Sequence, residues 1–402
     1  MANLNIKPFL VANKATLCLV FVFIIFSLNY LVFQSSISKA MSTTTHPSIK
    51  LQRSANISIN TYGYVLHREA NSVTKSTILN RNCTHIDAVY TWVNGSDPTI
   101  LDKLKKAGYD INEDKERYRE IGALKYSLRS VYQNAPWIKN IWILTDSQIP
   151  DFFDVQKDVP NIKFIFHESF FENRTHLPTF NSLSIESNFY NLPEEVSNCF
   201  LYFNDDVFLK SPVQPIDFFD ANYNQVIFES DSIIGLYVYR LFNELDPYFQ
   251  SMVLSGQLLD KIWSSVEDER ERVQSDHGVQ VFNRKMLLQM QFEIGQELAE
   301  ASSHKKRETS DPQLAFIYNQ FVKRYDINYR VKKNFSYYGA ITTNATELNS
   351  TLDGVHKTSS KVVCLNDRLN SNDTLLYNQI VHQLVEFYDH ILPHPAPWEK
   401  KY

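Results

Sequence analysis

Apolar, β-rich stretches that alternate with helical patterns predict an α/β chain built on a Rossmann-like, mostly parallel sheet. Two further observations extend that prediction. An uncharged apolar run near the N-terminus predicts a transmembrane helix ahead of the folded part. Helical spacing dominates after about residue 215, which predicts a largely helical insertion over residues 215–355. In chain order, residues 85–93 (HIDAVYTWV) read as a first strand, and Ile121, Leu124, Leu128 and Val131 then fall on one helical face, which ends at Asn134-Ala135-Pro136. Residues 140–145 (NIWILT) and 163–166 (KFIF) read as buried strands. A helix around 183–192 leads into 199–203 (CFLYF). Residues 258–273, 284–301 and 312–325 carry helical spacing, residues 362–365 (VVCL) return to strand, and residues 375–391 form a closing amphipathic helix. The last strand of the sheet is expected from near the C-terminus.

The 402 residues are 44% hydrophobic and 13% aromatic, enough apolar material for a large core. A net charge of −5 gives no electrostatic basis for nucleic-acid binding. Residues 15–33 are long enough to span a bilayer, and Lys7 and Lys14 ahead of them favour a cytoplasmic N-terminus. The expected layout is a cytoplasmic tail at 1–14, a signal anchor at 15–33, a Ser/Thr/Asn-rich stem at 34–81 and a lumenal catalytic domain at 82–402. A cleaved signal peptide ending near Ser38-Lys39-Ala40 is the rival reading. Sequons at Asn56, Asn82, Asn94, Asn173, Asn334, Asn344, Asn349 and Asn372 agree with entry into the secretory pathway. Cys18 lies in the apolar run. Cys83, Cys199 and Cys364 allow one disulfide and a free thiol without specifying which. No Cys/His spacing suggests zinc.

Three strand ends carry polar clusters. In the first, Asn94, Ser96 and Asp97 offer hydrogen-bonding groups around Gly95, which permits a tight turn; an ordinary turn with an Asx cap fits as well. In the second, Asn204-Asp205-Asp206 follows CFLYF. Adjacent carboxylates at a strand end repel unless a cation or donor lies between them, and hard oxygens of this kind suit Mg²⁺ or Mn²⁺. A solvated acidic turn is the plainer alternative. Asn366-Asp367 after VVCL is a weaker third case. His277 has a side chain whose proton affinity suits a general base, and Arg307 one that suits a transferring phosphoryl group. Taken alone, a polar loop histidine and a solvated basic run explain these two better.

The segments IDAVYTWVNGSDP (86–98), RYREIGALKYSLRSVYQNAPWIKNIWILTDSQIP (117–150), HLPTFNSLSIES (176–187), LYFNDDVF (201–208), SSHKKRETSDPQLAFIYNQF (302–321) and CLNDR (364–368) resemble the four conserved regions of Stealth proteins. The region around residues 277–284 is similar too. The family includes the catalytic subunit of the lysosomal-enzyme N-acetylglucosamine-1-phosphotransferase and bacterial capsule-polymer phosphotransferases. The resemblance implies transfer of sugar-1-phosphate, with N-acetylglucosamine the expected sugar, from a UDP-sugar to a hydroxyl of a glycan or glycoprotein acceptor, with mannose the expected sugar there. UMP is released. It further implies that His277 is the general base, that Arg307 and Asp206 act in catalysis, and that Asn94, Gly95, Ser96, Asp97, Arg119 and Asn204 bind substrate. Asp205, Asp206, Asn366 and Asp367 are the implied Mg²⁺ ligands. The expected setting is a single-pass type II Golgi membrane protein, with a homodimer an open arrangement. The chain departs from the pattern of relatives at Glu120-Ile121 and Ala123, which leaves the sugar open, and at Gly278 and Gln280, in the region that matches most loosely. Xylosyl-phosphate transfer, ordinary metal-dependent glycosyl transfer with release of UDP, and a lumenal glycan-binding protein are the alternatives.

Overall fold

The computed structural model describes Cys83, Leu245 and residues 85–109, 119–220, 224–234, 247–263, 272–326, 328–369 and 373–400. The expected tail, anchor and most of the stem lie outside the described residues. Among those that are described, no helix is long and apolar enough to cross a membrane.

The chain enters through β1 (Ile86–Thr91), α1 (Pro98–Lys106), α2 (Ala123–Asn134), β2 (Ile141–Thr145) and β3 (Ile162–Phe166). It continues through α3 (Ser182–Glu186), β4 (Cys199–Asn204), β5 (Val207–Leu209), α4 (Pro215–Phe218) and β6 (Val226–Ile234). Next come α5 (Pro247–Ile262), β7 (Arg272–Ser275), β8 (Gln280–Asn283), α6 (Arg284–Ser303) and α7 (Leu314–Tyr325). The chain closes with β9 (Arg330–Lys333), β10 (Ser336–Ile341), α8 (Ala345–Lys357), β11 (Val362–Asp367) and α9 (Thr374–Ile391).

The fold is mixed α/β around a five-stranded sheet of order β3-β2-β1-β4-β8. The first three pairings are parallel and the β4–β8 pairing is antiparallel. Every residue of β1 is buried, as a strand covered on both faces requires. Its side chains alternate between two cores. Ala88 and Tyr90 join Leu124, Leu128 and Phe203 on one face, whereas Val89 joins Trp142, Tyr202, Phe282 and Met286 on the other. Local chemistry sets the helix starts. Asp97 caps α1 through Thr99 N, with Pro98 behind it. Gly122 precedes α2 at φ +84°, a conformation that favours glycine.

Four expectations are corrected. The helix expected over 258–273 lies earlier, at Pro247–Ile262, and Arg272–Ser275 is a strand because β6 supplies its pairing partner. The helix expected over 183–192 stops at Glu186 and resumes only as a single 3-10 turn at Phe189–Asn191. Between the two, the Asn188 side chain turns back to donate to Ser184 O. The stretch 215–355 is not simply a helical insertion, since β6 to β10 all lie in it. The last strand of the main sheet is β8 rather than the C-terminal β11, which pairs with β10 and β5 in a separate sheet.

Cys83 and Cys199 form a disulfide, and Cys364 is a buried free thiol. Of the sequon asparagines, Asn173, Asn334, Asn344 and Asn349 are exposed and Asn94 is half-buried. Asn56, Asn82 and Asn372 lie outside the described residues.

Candidate active site

The site lies where β1 and β4 end side by side, with Thr91 opposite Asn204. The carboxyl edge of a parallel sheet is where such folds hold ligands, because the loops splay apart there. Tyr202 organises this edge. Its hydroxyl lies 2.9 Å from Thr91 Oγ1, 2.9 Å from Asn204 Oδ1 and 3.1 Å from Glu186 Oε1. Glu186, the last residue of α3, is 8% exposed. Burial pushes its carboxyl up to about 7, against the opposing charge of Arg307 and the Tyr202 hydrogen bond. Arg307 donates from Nη2 to Ser182 Oγ at 2.8 Å. Tyr248, at the start of α5, feels both the Arg307 and the Glu186 charges, and burial pushes its phenol up to about 12. The site thus holds an acid poised near neutrality beside a fixed cation.

The acidic pair follows directly. Burial holds the Asp205 carboxyl well above the usual range, helped by the neighbouring charges of Asp206 and Glu120. Asp206 Oδ2 accepts from Asn366 Nδ2 at 3.2 Å and from the Cys364 thiol at 3.3 Å. Its Oδ1 is sheltered from solvent with no hydrogen-bond partner among the described residues. The Cys364 sulfur in turn lies 3.5 Å from His277 Nδ1, and the His277 ring packs edge-on to Tyr338 and Tyr248. His277 is therefore linked to Asp206 through a single sulfur, which reading the strand ends one at a time does not reveal.

The structure sorts the remaining residues. In the 94–97 loop, Asn94 N donates to Gln148 Oε1 and Gln148 Nε2 donates to Asp97 Oδ2, both at 3.0 Å. Asn94 Oδ1 accepts from Ser96 N, and Gly95 is buried within the turn. The Gln148 bond, and after it the Thr99 N bond by which Asp97 caps α1, lower the Asp97 carboxyl. Asp367, one of the expected metal ligands, is held in an ion pair. Both its oxygens accept from Arg119, at 2.8 Å each, and Arg119 also donates to Leu369 O. Arg119 is likewise occupied by that pairing. Glu120 accepts from Trp92 Nε1 at 2.8 Å, and burial raises its carboxyl.

A divalent cation fits part of the expected set. Mg²⁺ usually takes one or two carboxylates and fills its other positions with water and substrate phosphate. Asp205 and Asp206 supply two, and the unpartnered Asp206 Oδ1 is the observation in favour. Among the described residues, no group of three or more His, Cys, Asp or Glu side chains converges as a metal site. Glu186, Tyr202 and Tyr248 were missed from sequence. Glu186 was open to notice within HLPTFNSLSIES, as a lone acid closing a short helix among Ser and Ile.

Four models of Stealth protein conserved regions match this chain: region 1 over residues 84–108, region 2 over 117–227, region 3 over 276–324 and region 4 over 353–402. Together they span more than half of it. An exopolysaccharide phosphotransferase of Streptomyces coelicolor is 30% identical over 326 residues, covering 78% of this chain and 57% of that protein. One of Nocardia farcinica is 29% identical over 326 residues, covering 78% and 61%. The chain thus spans about three-fifths of the length of these curated relatives. Among solved structures, the galactosyltransferase LgtC in complex with donor and acceptor sugar analogs aligns at 13% identity and TM-score 0.36, covering 78% of this chain and 99% of that one. Mouse xyloside xylosyltransferase 1 aligns at 10% and 0.35, covering 70% and 97%.

Proposed function

Because this chain belongs to the Stealth family, we propose that it transfers a sugar-1-phosphate from a nucleoside-diphosphate sugar to a hydroxyl of a glycan acceptor. The finer reading takes UDP-N-acetylglucosamine as donor and mannose as acceptor, with UMP released. One observation carries it: an acidic pair, a histidine and an arginine–glutamate pair meet at one sheet edge. Binding a sugar needs no such set, whereas displacement at phosphorus uses each member.

In this reading the acceptor oxygen attacks the phosphorus that bears the sugar, and the bond from that phosphorus to the UMP oxygen breaks. His277 Nδ1 faces the Cys364 sulfur, so Nε2 takes the acceptor proton. Arg307 balances charge on the transferring phosphoryl, and Glu186 holds a donor hydroxyl beside it. Asn204 and the Asn94–Asp97 loop border the donor on the other side. Asp205 and Asp206 would hold Mg²⁺, with Mn²⁺ the alternative, and the bound ion supplies positive charge to the diphosphate. The same reading puts the catalytic part in the Golgi lumen behind a type II anchor. The Cys83–Cys199 disulfide supports an oxidising compartment.

The test incubates the full chain in detergent with Mg²⁺, a panel of UDP-sugars and an α-mannoside, and separates UMP from UDP by chromatography. UMP formed with one sugar, and lost in His277→Ala, is expected. UDP release would instead mean ordinary glycosyl transfer, and turnover left intact in His277→Ala or Arg307→Ala would sink the assigned roles.

A further inference from the structure

Glu186 and Arg307 come from segments more than a hundred residues apart, yet their charges act on each other. The segments that carry them are laced together. Phe180 N donates to Lys305 O at 3.1 Å, Thr179 Oγ1 to His304 O at 3.2 Å and Ser184 Oγ to Ser302 O at 2.8 Å. At the centre lie Asn181 and Asp311, each 1% exposed.

Asn181 works in two directions. Its Oδ1 accepts from Leu183 N and so caps α3, the helix that ends at Glu186. Its Nδ2 donates to Asp311 Oδ2 at 2.7 Å and to Lys306 O at 3.1 Å. Asp311 Oδ2 also accepts from Glu308 N at 2.9 Å, while its Oδ1 lies 2.6 Å from His304 Nδ1. The backbone is therefore gripped on both sides of Arg307, at the carbonyl just before it and the amide just after it. The Arg307 side chain closes the arrangement on Ser182, the residue next to Asn181.

We propose that the buried Asn181–Asp311 pair, with Ser182, positions the Arg307 guanidinium against Glu186, so that these three are positioning residues for phosphoryl transfer. The inference rests on the catalytic reading of Arg307 given above. A bond network that merely closed a loop has no reason to converge on the two peptide groups flanking one arginine and on the cap of the helix that presents its acidic partner. An error of about 1 Å in such a group lowers turnover roughly a hundredfold, so the pair has leverage without touching substrate.

The test combines kinetics with amide hydrogen exchange on the full chain. Asp311→Asn keeps the size of the side chain but sets an amide against donors. It is expected to lower kcat by about 10- to 100-fold, with the donor KM within about 3-fold. Ser182→Ala, which leaves the Asn181–Asp311 pair intact, is expected to lower kcat by about 10-fold at unchanged Tm, with Ser182→Thr restoring it. In Asp311→Asn, exchange is expected to rise together in residues 302–311 and 181–187 while β1 and β4 stay protected. Wild-type kcat in both Asp311→Asn and Ser182→Ala, or unchanged exchange in the two segments, would overturn the inference. A loss expressed in KM alone would do the same. If the wild-type chain turns over no donor, the proposed function falls, and joint against separate exchange of the two segments still decides whether the pair couples them. Should Asp311→Asn fail to fold, the Ser182 series decides the matter.

Discussion

The two edges of the central sheet treat buried carboxylates in opposite ways. At the amino edge, Asp87 is fully buried, and its oxygens accept from Trp142 Nε1, Ser197 N, Asn140 N and Asn140 Nδ2 at 2.8–3.2 Å. The Cys83–Cys199 disulfide staples the same edge. At the carboxyl edge, Asp206 Oδ1 and Thr145 Oγ1 are sheltered without hydrogen-bond partners among the described residues. Asp205 and Glu186 are held well above their usual range by burial. One edge has its polar groups satisfied and so serves stability. The other keeps unmet polar groups in place, which is how a fold reserves chemistry for a ligand.

Substitutions at the two edges should separate activity from stability. The largest effect is expected from Asp206→Asn, which should lower turnover by roughly a thousandfold or more, as removal of an electrostatic group from a transfer site does. Its Tm should hold or rise, because a mutual carboxylate repulsion is relieved. A Tm loss as large as the activity loss would break the comparison. At the other edge, Asp87→Ala leaves several buried donors without acceptors, at about 1–3 kcal/mol each, so about 4 kcal/mol of stability should be lost in denaturant titration. Soluble Asp87→Ala protein with full stability would show that the amino edge is not built as described.

The pH response sharpens the contrast. The folded chain holds the Glu186 proton up to about pH 7, whereas an ordinary glutamate loses it near 4.5. Stabilisation from the protonated form is complete below about 4.5 and is lost as pH rises to about 7. In the ligand-free chain this amounts to about 3 kcal/mol across the window, and Glu186→Gln should flatten the slope. An identical pH profile of Tm in the two proteins would remove Glu186 from that role. The smallest effect concerns sequons. In a eukaryotic secretory host, site-resolved mass spectrometry should find glycans at exposed Asn173, Asn334, Asn344 and Asn349 and none at Asn94, whose turn is tied to Gln148. A glycan on Asn94 would contradict a loop that borders substrate.

Much of the sheet was legible because β1, β2 and β4 are covered on both faces, and double burial writes a continuous apolar run into the sequence. The pairings of β7, β8 and β11 were not legible, because a strand's partner is a non-local fact. The Cys83–Cys199 disulfide needed the same information, namely the register that sets Ile86 beside Cys199. At the site, Asp205 and Asp206 stood out as acids after an apolar strand. Glu186 did not, since its raised proton affinity comes from burial against Tyr202, which no local pattern encodes. The ion pair of Asp367 was not legible either, because its partner, Arg119, lies 248 residues away in sequence.

The disulfide also sets how the molecule carries mechanical load. Tension applied to the chain ahead of Cys83 does not reach Ile86 alone, because the Cys83–Cys199 bond splits it between the first residues of β1 and β4. Those strands are parallel and in register over six residue pairs, so pulling on both from the same end drags them together instead of sliding one past the other. The paired strand ends at Thr91 and Asn204, where the candidate site lies, are thereby shielded from shear. A tether on the N-terminal side can tug on this domain without prising open the strand ends that border the candidate site.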